Sequence, residues 1–127
     1  MKPEVNLLID KANRSLIAAE MHFEKGDYDF CASRSYYAMF YAAEGILLEK
    51  GKTYSKHSGV LSGFYHHFIA TKIFPQRLHE AFHHAFDDRQ DADYAFLDPF
   101  PKEEAQNLLK EAKKFVEAIC NYLKTQN

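Results

Sequence analysis

The chain has no tryptophan and only two cysteines, four prolines and five glycines among its 127 residues. So little glycine and proline excludes a collagen-like or disordered chain. Cys31 and Cys120 lie in separate apolar segments without C-x-x-C spacing. The absence of this spacing argues against a disulfide framework or a cysteine zinc site. The apolar surroundings predict buried, reduced thiols. No segment approaches the roughly 20 apolar residues that cross a bilayer.

An excess of charge of either sign is also absent, because 16 Lys and Arg oppose 18 Asp and Glu and leave a net charge of -2. No global positive field therefore attracts nucleic acid, so any RNA contact has to be local and no DNA specificity is evident. The polar start MKPEVN lacks the basic and apolar regions of a signal peptide. We therefore expect a cytoplasmic protein that does not associate with membranes.

Bulky apolar residues are plentiful. The chain is 46% hydrophobic and carries 11 Phe and 8 Tyr, enough to build one core at this length. We expect a single domain over residues 1–127, because this is the usual length of one domain.

Apolar residues recur every three or four positions in five segments, which is the period of one helix face. These predicted helices cover 5–23, 28–50, 58–70, a segment from Pro75 and a segment from Pro101. No stretch alternates like a strand, and short connections favour antiparallel neighbours. The predicted fold class is therefore all-α, an antiparallel up-and-down bundle of four to five helices. The second segment is apolar on nearly every side and should be the central helix.

Residues with special backbone preferences predict the ends of these helices. Gly26 and Gly51 are expected to end the first and second helices, and Asp27 to cap the start of the second. Gly59 and Gly63, each preceded by serine, are expected to be close-packing positions on the third helix rather than catalytic groups.

A polar stripe runs along the otherwise apolar second helix. At about 100° per residue, its members fall inside one arc of roughly 100°. They are Ser33, Arg34, Tyr37, Tyr41 and Glu44. A buried, unpaired guanidinium or carboxylate is unfavourable, so these groups need partners, water or a ligand.

The fourth helix supplies matching groups. Arg89 lies three turns after Leu78 on the apolar side, and Asp93 follows four residues later. Three interpretations remain open for Arg34, Glu44, Arg89 and Asp93. They form a salt-bridge network that fixes helix register, they line a polar cleft that recognises phosphate or a base, or they are simply solvated. In such a cleft the arginines are bidentate donors and the tyrosines are stacking surfaces.

Residues 79–83 read HEAFH, which matches the H-E-x-x-H pattern of zinc proteases. The longer metzincin pattern is absent, because Phe86 and Arg89 occupy its glycine and third histidine positions. Glu103 and Glu104 are distant alternatives for a third ligand, but two prolines intervene. We therefore expect no metal site and no cofactor, and interpret the histidines as a partly exposed helix flank. Adventitious metal binding stays open for His79 with His83, and for the pairs His66–His67 and His83–His84.

The chain resembles the small stand-alone HEPN proteins of bacteria and archaea over about residues 18–123. Three stretches carry the resemblance: ASRSYYAMFYAAEGILLEKG in the second helix, KHSGV opening the third and RQDADY closing the fourth. The resemblance implies a helical bundle that pairs into a homodimer with a cleft near the two-fold axis. It also implies nucleotide or RNA as ligand and a minimal nucleotidyltransferase as partner in a toxin-antitoxin-like pair.

The resemblance also bears on catalysis. In metal-independent ribonucleases of the family, an arginine and a polar residue precede a histidine by four to six positions, and a tyrosine follows two residues later. Arg89 and Gln90 match this pattern, but Asp93 and Tyr94 stand where the histidine and tyrosine would fall. Asp93 is a poor general acid because aspartate is ionised at pH 7. His57 is a substitute in principle, although nothing in the sequence places it near Arg89.

The sequence thus predicts a nucleotide-binding or RNA-binding site, with Arg89 and Asp93 as candidate catalytic residues. The predicted binding residues are Ser33, Arg34, Tyr37, Tyr41, Glu44, Arg89 and Tyr94. Two alternatives remain: a non-catalytic interaction module whose polar residues form a structural network, and a ribonuclease with an altered active site.

Overall fold

A computed structural model describes residues 2–94, 96 and 98–126. Its α-helices are α1 Pro3–Lys25, α2 Tyr28–Glu49, α3 His57–Phe64, α4 Gln76–Tyr94 and α5 Lys102–Thr125. Over these residues there is no strand, which confirms the all-α bundle. Nor does any helix in this part of the chain have both the length and the apolar character needed to cross a membrane.

Glycines in the left-handed conformation end the first two helices, as predicted. Gly26 has φ 84° and Gly51 has φ 78°, a region that other residues rarely adopt. In both cases the amide after the glycine donates to a carbonyl in the last helical turn, at 2.8 and 2.9 Å. Asp27 stands at the predicted N-cap of α2, but its side chain makes no capping hydrogen bond. Its Oδ2 lies 3.6 Å from His22 Nδ1 instead.

The central helix of the bundle is α2, which packs against all four other α-helices. Twelve of its 22 residues are buried. Close approach to α1 depends on Gly45, because a Cβ there would lie 3.3 Å from Ile9 Cδ1. A helix buried on several sides has no single apolar face, which explains why its sequence is apolar almost all round.

Phenylalanine rings join the second half of the chain to the core. Phe115 on α5 lies 5.1 Å from Phe64 and 5.2 Å from Phe82, measured between ring centroids. Phe74, just before α4, stacks on Phe64 at 6.0 Å. Offset and edge-to-face pairs at these separations are favourable beyond their burial. The rings therefore fix α3, α4 and α5 relative to one another.

The third helix differs from its prediction in one respect. It changes to a π-helical turn, Tyr65–Ile69, where the Ala70 amide donates to the Tyr65 carbonyl at 2.8 Å. Its two glycines are close-packing positions, as predicted. A Cβ on Gly63 would lie 2.5 Å from the hydroxyl oxygen of Tyr54, and one on Gly59 would lie 3.1 Å from Tyr54 Cβ. Tyr54, in the loop that precedes α3, therefore packs against the helix face that these two glycines leave without side chains.

Both cysteines are free, with Cys31 buried and Cys120 half-buried. Burial raises the pKa of each thiol. Because the thiolate is the reactive form, these side chains are packing groups at neutral pH.

Candidate functional site

Arg89 on α4 points toward α2, as the helical count from Leu78 predicts. Its guanidinium carbon lies 5.2 Å from the ring centroid of Tyr36, 5.7 Å from that of Tyr37 and 5.8 Å from that of Phe86. A cation over an aromatic face is attracted by the ring quadrupole. The side chain is only 18% exposed, so the three rings hold it at the edge of the core.

The hydrogen-bonding capacity of Arg89 is largely unused. Its Nη1 donates to Asp93 Oδ2 at 3.2 Å, and the aspartate is partly exposed. Its Nε is out of contact with solvent and has no hydrogen-bond partner in the described part of the chain. A guanidinium has five N–H donors in a planar fork that matches the oxygens of a phosphate. Arg89 is therefore a cation held in place with donors to spare.

His57, the first residue of α3, belongs to the same cluster. Its Nδ1 lies 2.9 Å from the hydroxyl oxygen of Tyr36, and its ring stacks on Phe40 with centroids 4.2 Å apart. Burial and, second, the charge of Arg89 lower the pKa of His57. The imidazole is therefore neutral at pH 7. Its Nε2 takes no part in the bond to Tyr36.

Tyr36 connects the arginine to the histidine, although the polar-stripe pattern does not predict it. It is fully buried, and burial raises the pKa of its hydroxyl, so the hydroxyl stays protonated. The pattern placed its neighbour Tyr37 on the polar stripe instead. The only sequence signal for Tyr36 is that it precedes Tyr37 in the SYY stretch of the motif. An apolar helix that is buried on several sides gives no pattern from which the contacts of each side chain can be predicted.

A second arginine contacts the cluster through Tyr37. The Arg34 guanidinium carbon lies 4.8 Å from the Tyr37 ring centroid, so this ring contacts both arginines. Tyr37 also packs edge-on against Tyr36 at 5.1 Å. Two cations and two tyrosines thus lie together although the chain as a whole is slightly acidic. We call Arg34, Tyr36, Tyr37, His57 and Arg89 the arginine–tyrosine cluster.

The other stripe residues meet different neighbours. Tyr41 packs on Tyr37 at 5.8 Å and lies under the ammonium of Lys11, 4.6 Å from its ring centroid. Glu44 is half-buried; burial raises its pKa, while Lys11 lowers it. Ser33 is also half-buried. The stripe from Ser33 to Glu44 is about 16 Å long at 1.5 Å per residue, too long for all of its side chains to reach one site. Its end at Tyr41 and Glu44 faces Lys11 of α1.

The four-residue salt-bridge network does not form in the described part of the chain. Of its four members, only Arg89 and Asp93 are paired there. Arg34 lies on a tyrosine ring, and Glu44 faces a lysine of α1. Tyr94, the last residue of α4, is 80% exposed and lies outside the arginine–tyrosine cluster.

The HEAFH histidines pack on each other and on Tyr65. The rings of His79 and His83 are 5.9 Å apart, and His79 packs on Tyr65 at 4.8 Å. Glu104, considered above as a distant third ligand, lies beside His84 instead, with Oε1 3.2 Å from Nε2. The structure therefore does not bring this glutamate to the two histidines of the motif.

The fold and this site define a class of small all-α bundles whose central helix presents tyrosines to an arginine of the fourth helix. A model of the HEPN domain matches residues 5–123, and the chain belongs to the HEPN domain family. The family expectation drawn from the three motifs is thereby confirmed.

Named relatives cover nearly the whole chain. The protein "Putative toxin MJ0142" of Methanocaldococcus jannaschii is 40% identical over 126 residues, which are 99% of this chain and 86% of that protein. A UPF0332 protein of Thermotoga maritima is 32% identical over 109 residues, or 86% and 83% of the two chains. A UPF0332 protein of Gloeobacter violaceus is 33% identical over 124 residues, or 97% and 98%.

Proposed function

We propose that this HEPN protein binds the phosphate groups of nucleotide or RNA at the arginine–tyrosine cluster. The observation that carries the proposal is Arg89, a guanidinium held by three aromatic rings whose Nε has no hydrogen-bond partner in the described part of the chain. A bound phosphate supplies the acceptors that such a guanidinium needs.

The surrounding side chains suit the rest of such a ligand. Tyr37 and Tyr41 are half-buried rings, one beside the other, and tyrosine faces stack on unpaired bases. Arg34 adds a second cation close to Arg89. Two local cations give phosphate affinity that the net charge of the chain does not predict, and this affinity falls with added salt.

The proposal extends to partners. A relative named as a toxin supports a role as the toxin member of a pair, and the family resemblance suggests a minimal nucleotidyltransferase as the other member. Self-association into a homodimer is supported by exposed apolar side chains at one end of the fold and along α1, namely Leu7, Ile17, Met21 and Phe30.

The test is binding of fluorescently labelled single-stranded RNA and of a labelled nucleotide, measured by anisotropy. The Arg89→Ala variant is expected to bind at least about tenfold more weakly than the wild type. Arg14→Ala is the matched control, because Arg14 forms the same one-turn pair with Asp10 at 3.0 Å on the exposed face of α1. Equal affinity in the two variants would place the binding surface elsewhere.

A second candidate function is RNA cleavage with His57 in place of the missing histidine. The observation favouring it is the 2.9 Å contact of His57 Nδ1 with Tyr36, whose ring also carries Arg89. In this reaction the ribose 2′-oxygen attacks phosphorus while His57 takes its proton. The bond to the 5′-oxygen breaks and that oxygen gains a proton from water, leaving a 2′,3′-cyclic phosphate. Arg89 stabilises the negative charge on the phosphate oxygens.

Cleavage is tested by incubating the purified protein with RNA in EDTA and analysing the product ends. Arg89→Ala and His57→Asn are expected to lose activity, while His67→Asn, which changes a histidine of the π-helical turn, retains it. Intact RNA with the wild type would remove this second function and leave the binding function standing. Equal cleavage by all four proteins would identify a contaminating nuclease.

A further inference from the structure

A cluster of metal-ligating side chains lies where α4 packs against α5. His84 Nε2 is 3.2 Å from Asp88 Oδ2 and 3.2 Å from Glu104 Oε1. All three ligand atoms lie within 4.8 Å of one another. His84 and Asp88 are one turn apart on α4, and Glu104 belongs to the first turn of α5. One nitrogen and two oxygens thus converge from two helices.

Two of the distances between these atoms suit a metal ion. An ion with ligands at about 2.0–2.2 Å holds neighbouring ligand atoms roughly 3.0–3.5 Å apart. The separations of His84 Nε2 from Asp88 Oδ2 and from Glu104 Oε1 are both 3.2 Å and fall inside that interval. One imidazole with two carboxylates is a ligand set that divalent transition metals accept.

The two carboxylate oxygens lack other partners. Asp88 Oδ2 and Glu104 Oε1 are both out of contact with solvent, and neither atom has a hydrogen-bond partner in the described part of the chain. The Nε2 of one imidazole carries at most one proton, so it cannot fully serve both oxygens. The packing of α4 on α5 therefore holds two carboxylates together where a cation or a shared proton makes them compatible.

The other nitrogen of His84 is also directed toward an acidic group. Its Nδ1 lies 4.0 Å from Glu111 Oε1, and Asn107 Nδ2 donates to that same oxygen at 2.7 Å. Histidines that bind a metal usually direct their second ring nitrogen at a carboxylate or carbonyl, which fixes the tautomer and the ring orientation. Glu104 and Glu111 are two turns apart on α5, so the imidazole has an acidic group near each of its nitrogens.

We propose that His84, Asp88 and Glu104 bind one divalent transition-metal ion, of the class of Zn²⁺ or Mn²⁺, which joins the C-terminal half of α4 to the start of α5. Three protein ligands leave the remaining coordination positions to water. The site is separate from the arginine–tyrosine cluster and does not depend on RNA binding. It also departs from the expectation of no metal site, which considered His84 only as a pair with His83 and not together with Asp88 and Glu104.

The test uses the full chain, stripped with EDTA and dialysed, in calorimetric titrations with Zn²⁺, Mn²⁺ and Mg²⁺. We expect one transition-metal ion per chain and little response to Mg²⁺. The melting temperature should rise by about 5–10 °C when the ion is in hundredfold excess over its dissociation constant. His84→Ala and Glu104→Gln should each weaken binding about tenfold or more.

His22→Ala is the matched control. Its Nδ1 lies 3.6 Å from Asp27 Oδ2, so it also pairs with an aspartate, but neither residue belongs to α4 or α5. This variant should bind the ion as the wild type does. Loss of binding in His22→Ala, undiminished binding in His84→Ala and Glu104→Gln, or no binding by the wild type would each overturn the proposal. Should His84→Ala fail to fold, Glu104→Gln tests the same site from the other helix.

Discussion

The hydroxyl of Tyr36 lies 2.9 Å from Nδ1 of His57, while the ring of the same tyrosine lies 5.2 Å from the guanidinium carbon of Arg89. One buried residue of α2 therefore contacts the first residue of α3 and a residue near the end of α4. A histidine and an arginine that are 32 positions apart in sequence act on the same side chain. Asp93 stands where ribonucleases of the HEPN family have a histidine. The arrangement nevertheless places a neutral imidazole, that of His57, beside the cation Arg89.

Removing the charge of Arg89 should change the pKa of His57. Because Arg89 lowers that pKa, Arg89→Ala is expected to raise it. The value should remain below that of a free histidine, since burial is the larger cause. An NMR titration of the His57 ring measures the shift, and Arg14→Ala is the control that should leave it unchanged. A His57 pKa unaffected by Arg89→Ala would contradict the arrangement.

The contribution of His57 to stability should fall on mild acidification. The pKa of His57 is lower in the folded chain than the usual 6.5, so the unfolded chain binds its proton first as the pH falls. This contribution to the free energy of unfolding therefore decreases from about pH 6.5 down to the folded pKa. Urea unfolding at several pH values measures it as the difference in free energy between the wild type and His57→Asn, which should shrink as the pH falls. The comparison is needed because other groups also titrate: the lowered pKa values of His67 and His79 act in the same direction, and the raised pKa values of Glu44 and Asp88 act in the opposite direction.

A methyl group on Gly63 should destabilise the fold. The added Cβ would lie 2.5 Å from the Tyr54 hydroxyl oxygen and 2.6 Å from Cζ, so the ring has to move. We expect Gly63→Ala to cost about 1–3 kcal/mol, as overpacking usually does. Thermal unfolding of the Tyr54→Ala, Gly63→Ala double variant should show non-additive costs. Ser62→Ala, at an exposed neighbouring position, should have little effect; additive costs in the double variant would disprove the contact.

Truncating Phe82 should be among the most damaging core changes. Phe82 is 1% exposed and packs on Phe115 at 5.2 Å and on Tyr36 at 6.1 Å. Phe82→Ala is expected to lower the free energy of unfolding by about 3–5 kcal/mol. Phe96→Ala serves as control, because Phe96 is 88% exposed and its loss should change stability by less than about 0.5 kcal/mol. Similar unfolding midpoints for the two variants would show that Phe82 is not a core residue.

The proposed homodimer predicts a sedimentation mass of twice 14.7 kDa at micromolar concentration. Ile17 and Met21 are one turn apart and more than half exposed on α1, so Ile17→Glu should weaken association if this face forms the contact. Glu117→Lys on α5 reports whether any surface charge change has the same effect. A mass of one chain for the wild type would refute self-association at that concentration.

Local chemistry made much of the fold predictable. Gly26 and Gly51 end their helices because few other residues tolerate a positive φ, and that preference is visible in sequence. The direction of Arg89 followed from counting three turns from Leu78, because helical geometry is regular over that distance. The Gly59 and Gly63 pair was likewise readable as a close-packing surface.

The parts of the site that sequence missed depend on tertiary contacts. His57 follows a loop whose course is set by Tyr54 resting on Gly63, and no periodic pattern encodes that contact. The π-helical turn after Phe64 was not foreseen because it does not interrupt the apolar spacing. His84 and Glu104 are 20 residues apart on different helices, so only the packing angle of α4 against α5 brings them together.

Asp88 and Arg89 are consecutive residues that face different neighbours, α5 on one side and α2 on the other. Both belong to the same helix, α4, so a ligand that restrains the helix at one residue acts on the backbone that carries the other. Thermodynamic linkage makes such an effect reciprocal: the factor by which an ion at Asp88 changes phosphate affinity at Arg89 equals the factor by which phosphate changes ion affinity.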